Sequence, residues 1–247
     1  MDAIAAGRAV MSGEATATPK THDGPVEALR ALKSLQRSAN KARTQAINQL
    51  HAVLVTAPEP LRARLHGLSR TELLATCAAF RIRADDDSLE AITRLTLREL
   101  ACRIGFLDAQ LKTTVTRLRR ITTAVAPELV ARPGVGPDTA STLLLAAGDN
   151  PERLRNERAF ASLAGSSPVP ANSGQIQKRY RLNRGGDRQA NSALWRIAIV
   201  RMSSDQATRD YVARRISEGK TKSEAIRCLK RYIAREVFNA LPPPALV

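Results

Sequence analysis

Two long stretches of the chain repeat apolar residues at intervals of three and four, the period of an amphipathic helix. The first runs from Val26 to Val55, and the second runs from Leu89 to Val125. The recurring positions at the end of the second stretch, all apolar except Thr114, are Leu100, Ile104, Leu107, Leu111, Thr114, Leu118, Ile121 and Val125. Alternating steps of four and three form a heptad seam. The pattern predicts a long antiparallel coiled-coil arm with a helical connector over residues 26–126, paired within the chain or between subunits.

The first of these helices divides apolar and basic residues between two faces. The apolar face includes Leu29, Leu32 and Leu35, and the other face includes Lys33 and Arg37. Long cationic side chains are rarely buried without a partner. We therefore expect Leu35 to face the core and Lys33 to face water.

Three consecutive carboxylates, Asp85, Asp86 and Asp87, precede the second long helix. Negative side chains stabilise a helix N-terminus, where the free N–H groups and the helix dipole are positive. Capping is the favoured interpretation, and a metal site is the alternative. The histidines, His22, His51 and His66, are too scattered to form a ligand pair, so we expect no histidine-based metal site.

Composition favours a helical protein with an anionic partner. Among 247 residues, aromatic residues make up 3%, and 39 Lys and Arg stand against 23 Asp and Glu, a net charge of +16. Such an excess of positive charge indicates nucleic acid or another anionic surface. No apolar run is long enough for a membrane span, and the start lacks the pattern of a secretory signal. Cys77, Cys102 and Cys228 are predicted to be buried and reduced, which favours the cytoplasm.

The segment Pro133-Gly134-Val135-Gly136-Pro137 predicts a tight turn between two short helices, similar to a helix-hairpin-helix. In such a turn, free N–H groups beyond Gly134 and Gly136 can meet a DNA phosphate without reading the base sequence. Asp138 would place a negative charge near that phosphate. Two interpretations stay open: a hairpin that contacts DNA and a turn that serves packing alone.

A further helix is predicted over residues 151–164, and a basic surface is predicted after it. Residues 165–174 contain two prolines and two glycines and cannot be helical. A short strand or extended arm follows at 175–182, and Asp187 can cap the next helix. The basic residues of the arm, turn and helix are Lys178, Arg179, Arg181, Arg184, Arg188, Arg196 and Arg201. Their succession favours a phosphate-binding surface over a merely solvated one.

The last helix is predicted to begin with a capping box formed by Thr221 and Glu224. Its predicted core face comprises Ile226, Leu229, Ile233 and Val237, and its predicted outer face comprises Arg227, Lys230, Arg231 and Arg235. Three prolines then end the ordered structure. The pattern gives a helical C-terminal domain over residues 127–241 and a tail over 242–247.

Residues 131–241 resemble the C-terminal transposase domain of the DEDD-type insertion-sequence transposases, serine recombinases whose best-studied members use a bridge RNA. The matching motifs are Gly134-Val135-Gly136-Pro137-Asp138-Thr139-Ala140, Ser173-Gly174, Arg181-Leu182-Asn183-Arg184-Gly185-Gly186-Asp187-Arg188-Gln189, Glu218-Gly219-Lys220-Thr221 and Cys228-Leu229-Lys230-Arg231-Tyr232. The coiled-coil arm also fits, so the resemblance covers nearly the whole chain. It implies a mainly α fold and DNA recombination.

The resemblance assigns Ser173 as the nucleophile that attacks a DNA phosphodiester. It makes residues 1–25 the last helix of a RuvC-like domain plus a linker, with a frayed N-terminal helix as the alternative. Asp2 then matches the final acid of a divalent-metal site, for which Mg²⁺ is expected in the complete enzyme. The other acids have no counterpart here, so we expect this chain alone to be inactive.

The implied partners are DNA, a guide RNA and a second copy of the chain bound through the coiled coil, with no membrane. The predicted function is that of an insertion-sequence transposase, a nucleoid-associated cytoplasmic protein. The leading alternative is a catalytically dead, truncated remnant that only binds nucleic acid. A third interpretation is a structural module that dimerises and is basic for solubility.

Overall fold

The structure is a computed structural model that describes residues 3–14, 19–20, 24–170, 180–182 and 185–242. Within these ranges the protein is mainly α-helical, as predicted, with one pair of short strands. The helices are α1 (Ala3–Met11), α2 (Pro25–Val55), α3 (Glu59–Leu65), α4 (Arg70–Ala78), α5 (Leu89–Val125), α6 (Pro127–Val130), α7 (Pro137–Ala147), α8 (Glu157–Leu163), α9 (Arg188–Ser204), α10 (Gln206–Ser217) and α11 (Lys222–Asn239), and the strands are β1 (Pro168–Pro170) and β2 (Tyr180–Leu182). None of the described helices is long and apolar enough to cross a membrane.

The chain separates into two compact units. One comprises Met1–Arg30 with Leu118–Val247, and the other comprises Ala31–Arg117. The boundaries fall inside α2 and α5, the two helices that the apolar periodicity predicts. The division at 25/26, 126/127 and 241/242 that the sequence suggests stays a prediction.

The unit Ala31–Arg117 has its own hydrophobic core. Its buried residues are Ala46, Leu50, Ala57, Leu61, Leu65, Leu73, Cys77, Phe80, Leu97, Ala101 and Ile104. Arg43 of α2 forms an ion pair with Asp108 of α5. Within this unit the predicted seam positions Ile104, Leu107 and Thr114 are buried. The other two seam positions of this unit, Leu100 and Leu111, are partly buried. The coiled coil and the dimer remain predictions.

The predicted faces of α2 are wrong at two positions. Leu35 is 41% exposed, and Lys33 is 8% exposed. A helix turns about 100° per residue, so two successive steps of three move Leu35 about 120° away from Leu29. One step of four keeps Lys33 within about 40° of Leu29.

The N-terminus of α5 is capped by Ser88. Its Oγ accepts a hydrogen bond from the N–H of Ala91 at 3.3 Å, and Asp86 Oδ1 accepts one from the N–H of Ser88 at 3.0 Å. Hydrogen bonding to Ser88 lowers the pKa of Asp86. The capping interpretation is supported, although Ser88 binds the free helical N–H. Across the described ranges, no group of three or more His, Cys, Asp or Glu side chains could hold a metal ion.

The cysteines differ in their surroundings. Cys77 is buried, and burial raises the pKa of its thiol to about 11. Cys228 is half-buried, and Cys102 is exposed on α5. The prediction of burial is therefore wrong for Cys102, because periodicity places its neighbour Ala101 on the buried face instead.

The C-terminal helices pack around a second core, in which Leu143, Phe160, Leu194, Ile197 and Ile233 are fully buried. The helix predicted from residue 151 begins instead at Glu157, after a 3₁₀ turn at Pro151–Arg153. Asn156 interrupts it because its side chain accepts hydrogen bonds from two following N–H groups and forms the cap of α8. The element is therefore shorter than the apolar pattern indicates.

Helix α7 ends at Gly148, which has a φ of +94°. The carbonyl of Leu145 accepts a hydrogen bond from Lys20, and those of Ala146 and Ala147 accept from Arg153. Cations are favourable at a helix C-terminus because the free carbonyls and the dipole are negative there. Lys20 of the predicted linker therefore packs against the C-terminal helices.

Candidate nucleic-acid interface

The turn at Gly134 packs against α9. Gly134 has a φ of +72°, and a Cβ built on it would lie 3.1 Å from Cγ of Arg201 and 3.2 Å from the carbonyl oxygen of Ile197. A side chain here would be strained in its backbone and crowded by α9. On this side, the turn serves packing.

The other side of the turn is open at Gly136. Gly136 is the N-cap of α7, and no atom lies within 4 Å of a Cβ built on it. Asp138, which would oppose a phosphate, forms an ion pair with Arg196 Nη1 at 3.0 Å. The pair reduces the negative charge at the N-terminus of α7. Contact between this turn and DNA remains a prediction.

Arg201 does not belong to the exposed basic face predicted for α9. It is 7% exposed, donates from Nε to the carbonyl oxygen of Pro133 at 2.8 Å, and pairs through Nη2 with Glu236 at 2.7 Å. Its position is four residues after Ile197, on the buried stripe of the helix. The guanidinium therefore ties the turn to α9 and α11 instead of facing a ligand.

The chain leaves the helical core after α8 and returns to the same point before α9. There β1 and β2 pair antiparallel, with Pro168 opposite Leu182. A Cβ built on Gly186 would overlap the backbone nitrogen and Cα of Gly165. Only glycine permits two backbone segments to approach this closely. The two ends of residues 165–186 are thus held in contact.

Hydrogen bonds at the N-terminal end of α9 hold this junction together. Asp187 donates its N–H to the carbonyl oxygen of Leu163 at 2.6 Å, and its carboxylate caps α9 as predicted. Asn191 Nδ2 donates to the carbonyl oxygens of Ala164 at 3.0 Å and Gly165 at 2.7 Å. These bonds attach the base of the β1–β2 segment to the start of α9.

Several predicted site residues lie outside the described residues. They are Asp2, Ser173, Lys178, Arg179 and Arg184. Arg181 belongs to β2, where it is paired with Val169. Arg188 is the first residue of α9 and is exposed. Gly134 and Gly136 form the turn described above, and neither lines the cleft that Arg188 lines.

A cleft of about 570 Å³ adjoins the junction of Gly165 and Gly186. Three basic residues, Arg188, Arg227 and Lys230, line it together with Trp195. Among the described residues that line the cleft, none is an Asp or Glu. The cleft is therefore electropositive and has an aromatic side chain at its surface.

Lys230 is the residue of this cleft that the sequence pattern misplaces. It was predicted to face outward, but it is 4% exposed, and Nζ donates to Asn191 Oδ1 at 2.5 Å. Burial and the charge of Arg227 lower the pKa of Lys230. Its spacing, four residues after Ile226 and three before Ile233, could have placed it on the inner stripe of α11.

Part of the chain after α5 is similar to known proteins. Residues 126–213 match the family described as "Transposase IS116/IS110/IS902 family". The "Insertion element IS110 uncharacterized 43.6 kDa protein" of Streptomyces coelicolor is 36% identical over 117 residues, covering 47% of this chain and 29% of the relative. The "Insertion element IS900 uncharacterized 42 kDa protein" of Mycobacterium paratuberculosis is 30% identical over 128 residues, covering 52% of this chain and 31% of the relative.

The chain thus spans less than a third of the length of these curated relatives. The family match begins at the end of α5 and includes the turn at Gly134, the β1–β2 segment, the junction of Gly165 and Gly186, and α9. Residues 126–213 of this chain therefore match a transposase domain of the IS116/IS110/IS902 family.

Proposed function

We propose that this chain acts in the transposition of an insertion sequence, by binding DNA and recombining it through a serine nucleophile. The family match over residues 126–213 is the observation that most supports this function. The electropositive cleft beside the ends of the β1–β2 segment supports it independently, because it offers cations to a phosphodiester.

In this proposal Ser173, which follows β1 in the sequence, supplies the nucleophile. Its Oγ forms a bond to phosphorus as the bond from phosphorus to one sugar oxygen breaks. The proton of the hydroxyl passes to the departing sugar oxygen, so the number of phosphodiester bonds is conserved. Attack by that hydroxyl, or by one from a second DNA strand, reverses the step and rejoins the backbone.

The basic residues have a separate role. Negative charge increases on the non-bridging oxygens as the fifth bond to phosphorus forms, and nearby cations stabilise it. Arg188 lies at the end of the β1–β2 segment, on the rim of the electropositive cleft. We assign phosphate binding to it and, by sequence position, to Lys178, Arg179, Arg181 and Arg184.

The described residues do not fit a divalent-metal site, since no suitable group of His, Cys, Asp or Glu occurs among them. Asp2, the one acid that the resemblance assigns to Mg²⁺, lies outside them. No step of the proposed reaction is therefore assigned to a metal held by these residues.

A covalent-adduct assay tests the nucleophile. The protein is incubated in Mg²⁺ with DNA that contains the element ends, then denatured and analysed for DNA linked to protein. The wild-type protein and a Ser203→Ala control, altered at an exposed serine of α9, should form the adduct. Ser173→Ala should not.

Persistence of the adduct in Ser173→Ala would show that another residue attacks. Wild-type protein that retains the DNA without forming any adduct would contradict the catalytic part of the proposal. That result would support a nucleic-acid-binding function alone, in agreement with the sequence-based expectation that this chain by itself is inactive.

A further inference from the structure

The charge of the cleft at the Gly165–Gly186 junction is poorly compensated by the described residues that line it. Lys230 is buried, and its hydrogen-bond acceptor, Asn191, is neutral. Arg227 lies close enough to act electrostatically on Lys230. Arg227 has a partner in Glu224 at 3.5 Å, but Glu224 does not line the cleft. A buried cation beside a second cation favours the binding of an anion.

Trp195 gives the cleft a second property. It is the single tryptophan of a chain with 3% aromatic residues, and it is 48% exposed although its neighbour Leu194 is fully buried. A tryptophan that served packing would bury most of its area. An exposed indole beside cationic groups is instead the usual platform on which nucleic-acid bases stack.

We propose that this cleft binds one unpaired nucleotide, with its base stacked on Trp195 and its phosphate facing Arg188, Arg227 and Lys230. The inference rests on the proposed function and names the form of nucleic acid that this site takes. A base inside a duplex is covered on both faces by its neighbours, so only a single-stranded or extruded base can stack on the indole. The cleft, about 570 Å³, lies within the size range of small-ligand sites.

The position of the cleft gives the unpaired nucleotide a role. The cleft adjoins Gly165 and Gly186, the two ends of the segment that contains the proposed nucleophile. Strand exchange requires bases to leave one partner before they pair with another. A site for one unpaired nucleotide at this position would hold a strand while it is separated from its complement.

Intrinsic fluorescence tests the contact directly, because Trp195 is the chain's only tryptophan. The protein is titrated with oligodeoxythymidylate, oligouridylate and a duplex of equal length. Stacking on the indole quenches its emission, so the single strands should quench more strongly than the duplex. The comparison of thymidylate with uridylate identifies whether the nucleotide comes from DNA or RNA.

Affinity measurements supply the matched control. Binding of fluorescein-labelled single strands is followed by anisotropy for Trp195→Phe, Trp195→Leu and Tyr232→Leu, the last altering an exposed aromatic outside the cleft. Loss of one stacked base corresponds to about a 5- to 150-fold weaker affinity. Trp195→Leu should show this loss, Trp195→Phe should retain most affinity, and Tyr232→Leu should resemble wild type.

Arg227→Gln provides a second variant that leaves the buried Lys230–Asn191 hydrogen bond in place. It should weaken single-strand binding and reduce its dependence on salt. If Trp195→Leu and Arg227→Gln both bind single strands as Tyr232→Leu does, the nucleotide site is wrong. That result leaves adduct formation by Ser173 unaffected, whereas failure of the proposed function is recognised by wild-type protein that forms no adduct with the DNA.

Discussion

Gly186 touches Gly165, and a methyl group on Gly186 would overlap the backbone of Gly165. The contact joins the two ends of the segment that contains β1 and β2. It also forms one wall of the electropositive cleft. The geometry of the cleft therefore depends on the absence of a side chain at Gly186.

Gly186→Ala should destabilise the unit that comprises Met1–Arg30 and Leu118–Val247. The added Cβ meets backbone atoms that cannot rotate away, and overpacking of this kind costs about 1–3 kcal/mol. Urea unfolding monitored by the fluorescence of Trp195 reports on this unit. Gly136→Ala is the control in the same unit, because nothing lies within 4 Å of a Cβ built on Gly136. If the urea midpoint of Gly186→Ala equals that of wild type, the close contact between Gly186 and Gly165 is contradicted.

Arg201→Leu should lower the free energy of unfolding by about 2 kcal/mol, since it leaves the carbonyl oxygen of Pro133 without its donor. Arg196→Gln is the comparison on the same helix. Its ion pair with Asp138 is exposed on both sides, and such pairs contribute less than about 1 kcal/mol. The same fluorescence-detected urea titration distinguishes the two variants. Equal losses of unfolding free energy in Arg201→Leu and Arg196→Gln would argue against a structural role for Arg201.

The capping box of α11 predicts a dependence on acid. Hydrogen bonds from the backbone and side chain of Thr221 lower the pKa of Glu224 below its usual 4.5. The stabilisation is therefore present above the unfolded-state pKa and is lost as the pH falls through the lower, folded-state pKa. The melting temperature of Glu224→Gln should lie below that of wild type at pH 7, and the two should converge once the pH falls below the folded-state pKa of Glu224. A difference in melting temperature that stays constant with pH would contradict this assignment. Thr221→Ser, which keeps the hydroxyl, is the control and should behave as wild type.

The salt dependence of duplex binding tests whether the basic surface meets phosphates. Each phosphate that a cation neutralises steepens log K against log salt by about 0.9 on duplex DNA. Arg188→Gln should therefore reduce the slope by about 0.9, the contribution of one phosphate contact. Arg235→Gln, which removes a cation paired with Glu157 at 2.9 Å, should leave the slope unchanged. A flat dependence in the wild-type protein would favour a structural module that is basic only for solubility.

Local sequence patterns predicted the helices well. The bounds of α5 follow from its apolar period, and the cap of α9 by Asp187 and the capping box of α11 follow from side chains next to each helix start. These features depend on residues within a few positions of one another, so one stretch of sequence contains the needed information.

The candidate site was only partly predictable. Arg188 was identified from the sequence, but Arg201 and Lys230 were assigned to exposed faces and are buried. The cleft arises where α9 and α11 meet the Gly165–Gly186 junction, across more than forty residues of chain. Long cationic side chains are polar by type, so their burial depends on partners such as Glu236 and Asn191 that only the fold brings near.

Because the chain is closed at Gly165 and Gly186, the stability of the helices does not depend on the length of the segment between these two residues. Asp187 and Asn191 hold the two ends together whatever number of residues lies between β1 and β2. Insertions or deletions within 171–179 should therefore leave α8, α9 and α11 folded. A variant that keeps Ser173, Lys178 and Arg179 can therefore vary the other residues of that stretch while the helical scaffold remains the same.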